Sequence, residues 1–249
     1  TTKLNPNEHD WLTAHPTRRV MDALLGAAPG GARFVGGCIR NALTGHKVND
    51  IDIATVLRPE TAAKALKDAG IAVHPTGIEH GTLTAVADHV PFEVTTLRRD
   101  VSTDGRRATV AFTTDWVEDS ARRDFRLNAI YADADGTLFD PQGGVEDALA
   151  RRIVFIGRAE DRIAEDYLRI LRFFRFFAFY GGDTPDPIGL AACAAMKDGI
   201  ARLSAERVWS ELKKLLAAPD PRKAVAAMEE AGILSAVLGE SGHAPLLSR

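Results

Sequence analysis

Residues 34–54 read FVGGCIRNALTGHKVNDIDIA, from Phe34 to Ala54, and they decide the fold of the N-terminal half. Arg33-Phe34-Val35 reads as a short strand, Gly36-Gly37 as a turn, and Cys38 to Leu43 as a helix stopped by Gly45. Asp50 to Leu57 alternates as a strand. Side chains two apart on a strand share a face, so Asp50 and Asp52 point one way while Ile51 and Ile53 point to the core. Two adjacent carboxylates repel each other unless a cation lies between them. A hard, oxygen-liganded ion such as Mg²⁺ suits that pair, and two such ions suit phosphoryl transfer. Upstream, the helix opened by Gly36-Gly37 has N–H groups free to cradle a phosphate, and Arg40 one turn on can add its charge. Taken singly, a strand Asp-x-Asp is more often a solvated edge and a Gly-Gly pair merely a turn. Their joint order, strand, glycine turn, helix, strand, paired acids, is what points to a triphosphate cradle beside a metal platform. Neither the P-loop, whose Lys-Ser/Thr is missing, nor the Rossmann glycine spacing fits it.

Working outward, residues 8–27 read as a helix through Trp11, Leu12, Val20, Leu24 and Leu25, ending at Pro29-Gly30-Gly31. Glu60 to Ala69 is a helix closed by Gly70, and Thr82–Ala87 and Phe92–Leu97 are strands. Glu93 lies on the second of these, where it could pair beside Asp52 as a third carboxylate; a solvated strand position would explain it equally well. Residues 98–120, rich in Arg, Asp and Thr, read as a mobile loop. Beyond about residue 145 the spacing turns helical over 160–180, 187–199, 204–217 and 221–232, broken at Pro185, Pro187, Pro219 and Pro221. The expected class is α+β. A catalytic head over 1–144, built on a mixed, mostly antiparallel sheet with flanking helices, precedes a helical neck over 145–218. Residues 219–249 are expected to begin a longer helical body, with the head ending near Asp140-Pro141-Gln142-Gly143-Gly144.

The composition bounds the function. With 249 residues, 45% hydrophobic and 26% charged, the chain has ample material for a core and is no disordered scaffold. No apolar run approaches the ~18 residues of a membrane helix, and the first thirty residues carry no secretory signal. Two cysteines, Cys38 and Cys193, are too few for a disulfide framework or a cysteine-based zinc site, which favours a reducing, cytoplasmic setting. The net charge of -3 argues against a general nucleic-acid coat, yet residues 151–175 hold seven Arg against four acids.

That arginine-rich stretch contains Glu165 to Arg175, EDYLRILRFFR. On a continuous helix Ile163, Tyr167, Ile170, Phe174 and Phe177 form an apolar stripe, with Arg162, Glu165, Arg169 and Arg172 opposite. Asp166 and Arg169 are then neighbours three apart. A carboxylate beside a guanidinium fork can match the amino group and ring acceptor shared by cytosine and adenine; an ordinary salt bridge is the plainer reading. Phe174 and Phe177 belong to the core, and Phe176 and Phe179 face a neighbouring helix, more than any base-stacking platform. Arg122-Arg123-Asp124-Phe125 reads as a charged helix start.

In this order the motifs resemble the nucleotidyltransferase superfamily that includes DNA polymerase β. More narrowly, they resemble the class II tRNA nucleotidyltransferases (CCA-adding enzymes) and bacterial poly(A) polymerases. The glycine turn with its helix matches GG-x-x-R-x-x-L-x-G before the paired acids, and Glu93 to Arg98 is similar to EVTT-x-R. Ala121 to Ala129 resembles RRDF-x-x-NA with Arg126 where Thr is usual, and DPQGG resembles the head-to-neck segment. Glu165 to Arg175 is similar to ED-x-x-R-x-x-R, and Ala205 to Leu212 to ER-x-x-x-EL, so the likeness runs over roughly residues 32–235. It implies two Mg²⁺ ions on Asp50 and Asp52, with Glu93 as a third catalytic acid. It implies nucleotide contacts from Gly36, Gly37, Arg40, Arg123, Asp124 and Asn128, and base reading by Asp166, Arg169, Arg172 and Arg175. Asp100 to Phe112 falls where the family has a flexible catalytic loop. The activity implied is addition of CMP and AMP, from CTP and ATP, to the tRNA 3′ end, with no membrane and no obligate protein partner. A poly(A) polymerase or a partial CC- or A-adding enzyme shares every motif; a non-catalytic RNA-binding relative and a transferase acting on protein or small molecules are the remaining alternatives.

Overall fold

A computed structural model describes residues 2–104 and 107–239, with the backbone alone at 101–104 and 107–110; residues 240–249, the end of the expected body segment, lie outside the described residues. The chain divides into two compact units, Thr1–Val145 and Glu146–Arg249.

The first unit opens with α1 (His15–Ala27), β1 (Ala32–Val35), α2 (Gly37–Thr44), β2 (Ile51–Thr55) and α3 (Pro59–Asp68). The predicted helix over 8–27 is thus two pieces, a 3-10 turn at Asp10–Leu12 and α1, because Pro16 lacks an N–H and suits only a helix's first turn. Then come β3 (Ala72–Gly77), β4 (Thr82–Ala87), β5 (Val90–Thr96), β6 (Arg98–Asp104), β7 (Arg107–Phe112), α4 (Trp116–Ala121), β8 (Tyr131–Ala132) and β9 (Leu138–Phe139), and the division between the units falls within α5 (Gly144–Leu149). Seven strands form one sheet in the order β3-β4-β5-β2-β1-β8-β9. Every adjacent pair is antiparallel except β2–β5, which is parallel. Period-two burial divides the sheet's faces. Phe34, Ile53, Val94 and Leu83 are buried in one row, and α1 and α3 pack on each other and on β4. On the other face Val35, Ala54, Leu97 and Tyr131 cluster under Trp116 and Phe139.

The segment over 98–120 is not a loop. β6 and β7 pair as a separate antiparallel hairpin, Arg98 opposite Phe112, and α4 follows, capped by Asp115, whose carboxylate accepts from the N–H groups of Val117 (2.7 Å) and Glu118 (3.3 Å). Polar composition hid a run of strand formers, Val101, Thr103, Thr109 and Val110.

The second unit is helical: α6 (Ala159–Glu165), α7 (Leu168–Tyr180), α8 (Pro187–Ala195), α9 (Ala205–Leu216), α10 (Arg222–Glu230) and α11 (Ile233–Leu238). Its core gathers Ile163, Ile170, Phe173, Phe174, Phe177, Cys193, Ala224 and Met228. Burial of four α7 phenylalanines, Phe176 included, rules out a stacking platform there. The helix expected over 160–180 is broken at Asp166, which adopts an extended conformation (φ −156°, ψ 108°). Its short side chain accepts from the N–H of Leu168 at 3.0 Å, offering the backbone an alternative to helix. The break lays the Tyr167 ring on Gly199, where a Cβ would fall 1.9 Å from two ring atoms. Among the described residues, no helix is long and apolar enough to cross a membrane.

Candidate active site

The site begins where β1 ends. Gly36 takes φ 69°, ψ −113°, a region closed to side chains, and its N–H donates to the carbonyl of Ile130 at 3.0 Å. Its own carbonyl accepts the first helical bond from Arg40, at 2.9 Å. The first-turn N–H groups of α2 therefore lack partners within the helix and are disposed to meet an anion. A Cβ at Gly36 would stand 3.4 Å from the Asn128 carbonyl oxygen and 3.7 Å from Arg123 Nη1. One at Gly37 would stand 3.6 Å from Arg40 Nη2 and 4.0 Å from Asp52 Oδ2. Two arginines and a carboxylate thus converge on the glycine pair.

The parallel pairing of β2 with β5 sets Asp52 directly opposite Glu93, with Thr84 of β4 opposite Glu93 on its other side. Asp50 stands one residue outside β2 and is exposed; Asp52 is part-buried. Burial, then the negative charges of Glu93 and Asp50, push the Asp52 carboxyl up to about 6 against the opposing pull of Arg123 and Arg40. Such a group is short of positive charge. The donors are all oxygens, which fits Mg²⁺. Among the described residues no three Asp, Glu, His or Cys side chains could by themselves hold an ion, but Mg²⁺ usually takes one or two carboxylates and completes its shell with water and substrate phosphates.

Arg40 Nη1 donates to Asn128 Oδ1 at 2.6 Å, and Asn128 Nδ2 donates to Asp124 Oδ1 at 3.1 Å. Asp124 is not at a helix start as its sequence context suggests, because α4 has already ended at Ala121; it is buried and orients Asn128. Sequence reasoning missed Asp119. This carboxylate, 1% exposed, receives Arg122 and Arg123 (both 3.1 Å), the Tyr131 hydroxyl (2.7 Å) and the N–H of Arg98 (3.1 Å). Burial alone would raise it, yet the two arginines and these hydrogen bonds hold it below the usual carboxylate range. Its three- and four-residue spacing to Arg122 and Arg123 was legible once residues 116–121 are helical.

In the second unit the expected base-reading residues are engaged differently from a simple Asp166–Arg169 pair. Asp166 Oδ2 accepts from Arg207 at 2.7 Å, while Arg169 meets Glu165 and donates to the Arg162 carbonyl at 2.9 Å. Arg175 Nε donates to Glu211 Oε2 at 2.6 Å, and Arg172 lies 4.0 Å from the same carboxylate, which is 4% exposed. Arg207 and Glu211 of α9, quoted within a motif but given no role, thus hold three of the four.

Residues 32–154 match the poly(A) polymerase head domain, and residues 184–243 match the probable RNA- and SrmB-binding site of polymerase A. The chain belongs to the class II CCA-adding enzyme and poly(A) polymerase family. It is 47% identical to the mitochondrial CCA tRNA nucleotidyltransferase 1 of Homo sapiens over 188 residues, 74% of this chain and 43% of that protein. It is 39% identical to the CCA-adding enzyme of Streptococcus pyogenes serotype M2 over 199 residues, 79% of this chain and 48% of that one. The crystal structure of the Bacillus stearothermophilus CCA-adding enzyme in complex with CTP superposes with a TM-score of 0.80 at 32% identity, covering 92% of this chain and 55% of that one. The chain spans about half the length of the relatives it matches. Within this family member the glycine turn and the acids fall inside the head match. Residues 166–175 fall between the two matched segments, and Arg207 and Glu211 fall in the second.

Proposed function

We propose that this chain carries the catalytic and base-reading parts of a template-independent nucleotidyltransferase that adds CMP and AMP, from CTP and ATP, to the 3′ end of tRNA. The observation that carries this reading is the in-register pair Asp52–Glu93 beside a glycine turn faced by Arg40 and Arg123. The first-turn N–H groups of α2, with Arg40 and Arg123, hold the triphosphate. Asp50 and Asp52 would hold two Mg²⁺ ions, and the chemistry such ions would supply is activation of the primer hydroxyl for in-line attack and stabilisation of the departing pyrophosphate. Glu93 sets a third carboxylate beside Asp52, and Asn128, oriented by Asp124, meets the ribose. Asp166 and Arg169 match the amino group and ring acceptor of cytosine or adenine, with Arg207 and Glu165 holding them in place until a base arrives. Arg172 and Arg175, held by Glu211, complete the base-reading face. The setting proposed is the cytoplasm, where buried thiols such as Cys38 and Cys193 stay reduced.

The poly(A) name of the head-domain match supports a second reading, a polymerase of A tails. Substrate tRNAs ending before the first C, after CC and after CCA separate the two when each is supplied with labelled CTP or ATP. CTP incorporation followed by a single A supports CCA addition. A long A tail on any of the three overturns it.

A further inference from the structure

Asp119 joins Arg123, which the proposed chemistry uses, to the root of the β6–β7 hairpin, to which that chemistry gives no role. One donor to its carboxylate is Arg123 Nη2, at 3.1 Å, and another is the main-chain N–H of Arg98, the first residue of β6, also at 3.1 Å. With Arg122 and the Tyr131 hydroxyl completing the set, the roughly four acceptor positions of a carboxylate are filled. Arg123 spans from this anchor to the glycine turn: its Nη1 lies 3.5 Å from the Asn128 carbonyl oxygen and 3.7 Å from where a Cβ on Gly36 would stand. An arginine is a long side chain with much rotamer freedom, and a buried carboxylate engaged with its guanidinium removes that freedom before any ligand binds.

We propose that Asp119 is a positioning residue that aims Arg123 at the glycine turn and binds the root of the β6–β7 hairpin to the same carboxylate, so that a nucleoside triphosphate held by Arg123 steadies the hairpin. This rests on the reading of Arg123 as a triphosphate ligand. The charges around Asp119 agree with it. Arg122 and Arg123 set two guanidinium groups on one carboxylate, and Arg98, which meets Asp119 through its main-chain N–H, has its Nε buried without a hydrogen-bond partner. The surplus positive charge is complementary to a polyphosphate. Arg98 is also tied to the sheet end, its Nη1 donating to the His80 carbonyl at 2.9 Å, so a shift of the hairpin root has two fixed neighbours to move against.

The test is Asp119→Asn in the whole chain, which keeps the shape of the side chain and removes its charge. Losing a charge-assisted hydrogen bond should weaken CTP binding on the order of 10-fold or more. KM for CTP should rise more than kcat falls, a split that general destabilisation does not produce. In the unaltered protein, CTP should slow amide exchange at Arg98 several-fold, and in Asp119→Asn it should not. Should the Asn variant fail to fold, Arg123→Lys serves: it keeps the charge but not the fork, and should abolish the CTP-dependent protection at Arg98. CTP binding unchanged within twofold in a folded Asp119→Asn overturns the proposal, as does CTP binding to the unaltered protein with no change at Arg98. A protein that binds no nucleoside triphosphate at all overturns the reading of Arg123, and this inference with it.

Discussion

Asp52→Asn is expected to make the metal-free protein more stable while removing its activity. The part-buried Asp52 carboxyl is shifted from an ordinary 3.8 to about 6 by burial and by the charges of Glu93 and Asp50. A shift of about two units corresponds to about 3 kcal/mol against the charged folded form. Partial exposure screens some of this, leaving about 1–2 kcal/mol. The sign follows from linkage. A carboxyl whose folded value is raised costs stability above about pH 6, and that cost fades as the pH falls toward 3.8, because both states are then protonated. At pH 7.5 with a chelator, the Asn variant should therefore melt about 2–8 °C above the unaltered protein. At pH 4 the two should melt nearly together. Saturating Mg²⁺ should raise the melting temperature of the unaltered protein and narrow the gap at pH 7.5, because a bound ion supplies the missing positive charge. Calorimetry under these three conditions, paired with CTP incorporation, gives the answer. An Asn variant no more stable than the parent at pH 7.5, or equally more stable at both pH values, would refute the reasoning, and so would undiminished turnover.

Other consequences are sharper at single positions. Gly36→Ala forces a side chain into φ 69° and should cost about 1–3 kcal/mol while weakening CTP binding in equilibrium titration. Gly199→Ala drives a methyl into the Tyr167 ring and should reduce the unfolding free energy of the helical unit by about 1–3 kcal/mol or more, read as a lower denaturant midpoint. Arg207→Ala releases Asp166, and competition between labelled nucleotides should show the preference for CTP and ATP over UTP and GTP falling by about an order of magnitude. Burial pushes the Cys38 thiol up to about 12, so iodoacetamide at pH 8 should label it only after denaturation; rapid labelling of the native protein would contradict that burial.

Much of this was legible in the sequence, for identifiable reasons. The stretch from Phe34 to Ala54 carries a complete local grammar, in which each glycine and each alternation has a single good explanation, and the turn, α2 and β2 follow it closely. Glu93 could be suspected but not placed. Its partner is fixed by which strands neighbour each other, a long-range property, and the parallel register opposite Asp52 emerges only in the assembled sheet. The hairpin of β6 and β7 was missed because its sequence, rich in Arg, Asp and Thr, lacks the regular apolar alternation by which strands are usually recognised. The helix break at Asp166 was missed for a related reason: periodicity survives across a two-residue interruption, and only the side chain's bond to Leu168 N–H reveals it. Asp119 escaped because an acid among arginines looks like a solvated surface until its burial is known.

The parallel seam between β2 and β5 has a consequence for how the protein comes into being. The segment from Val56 to His89, with α3, β3 and β4, must be traversed before the two strands can meet. Their contact is among the non-local ones, whose closure entropy is met before any reward returns. A chain still emerging from the ribosome therefore carries its glycine turn and its first acids without the third. The constellation that would grip a nucleotide is completed only as the sheet itself closes, so the proposed activity would arrive with folding, not ahead of it.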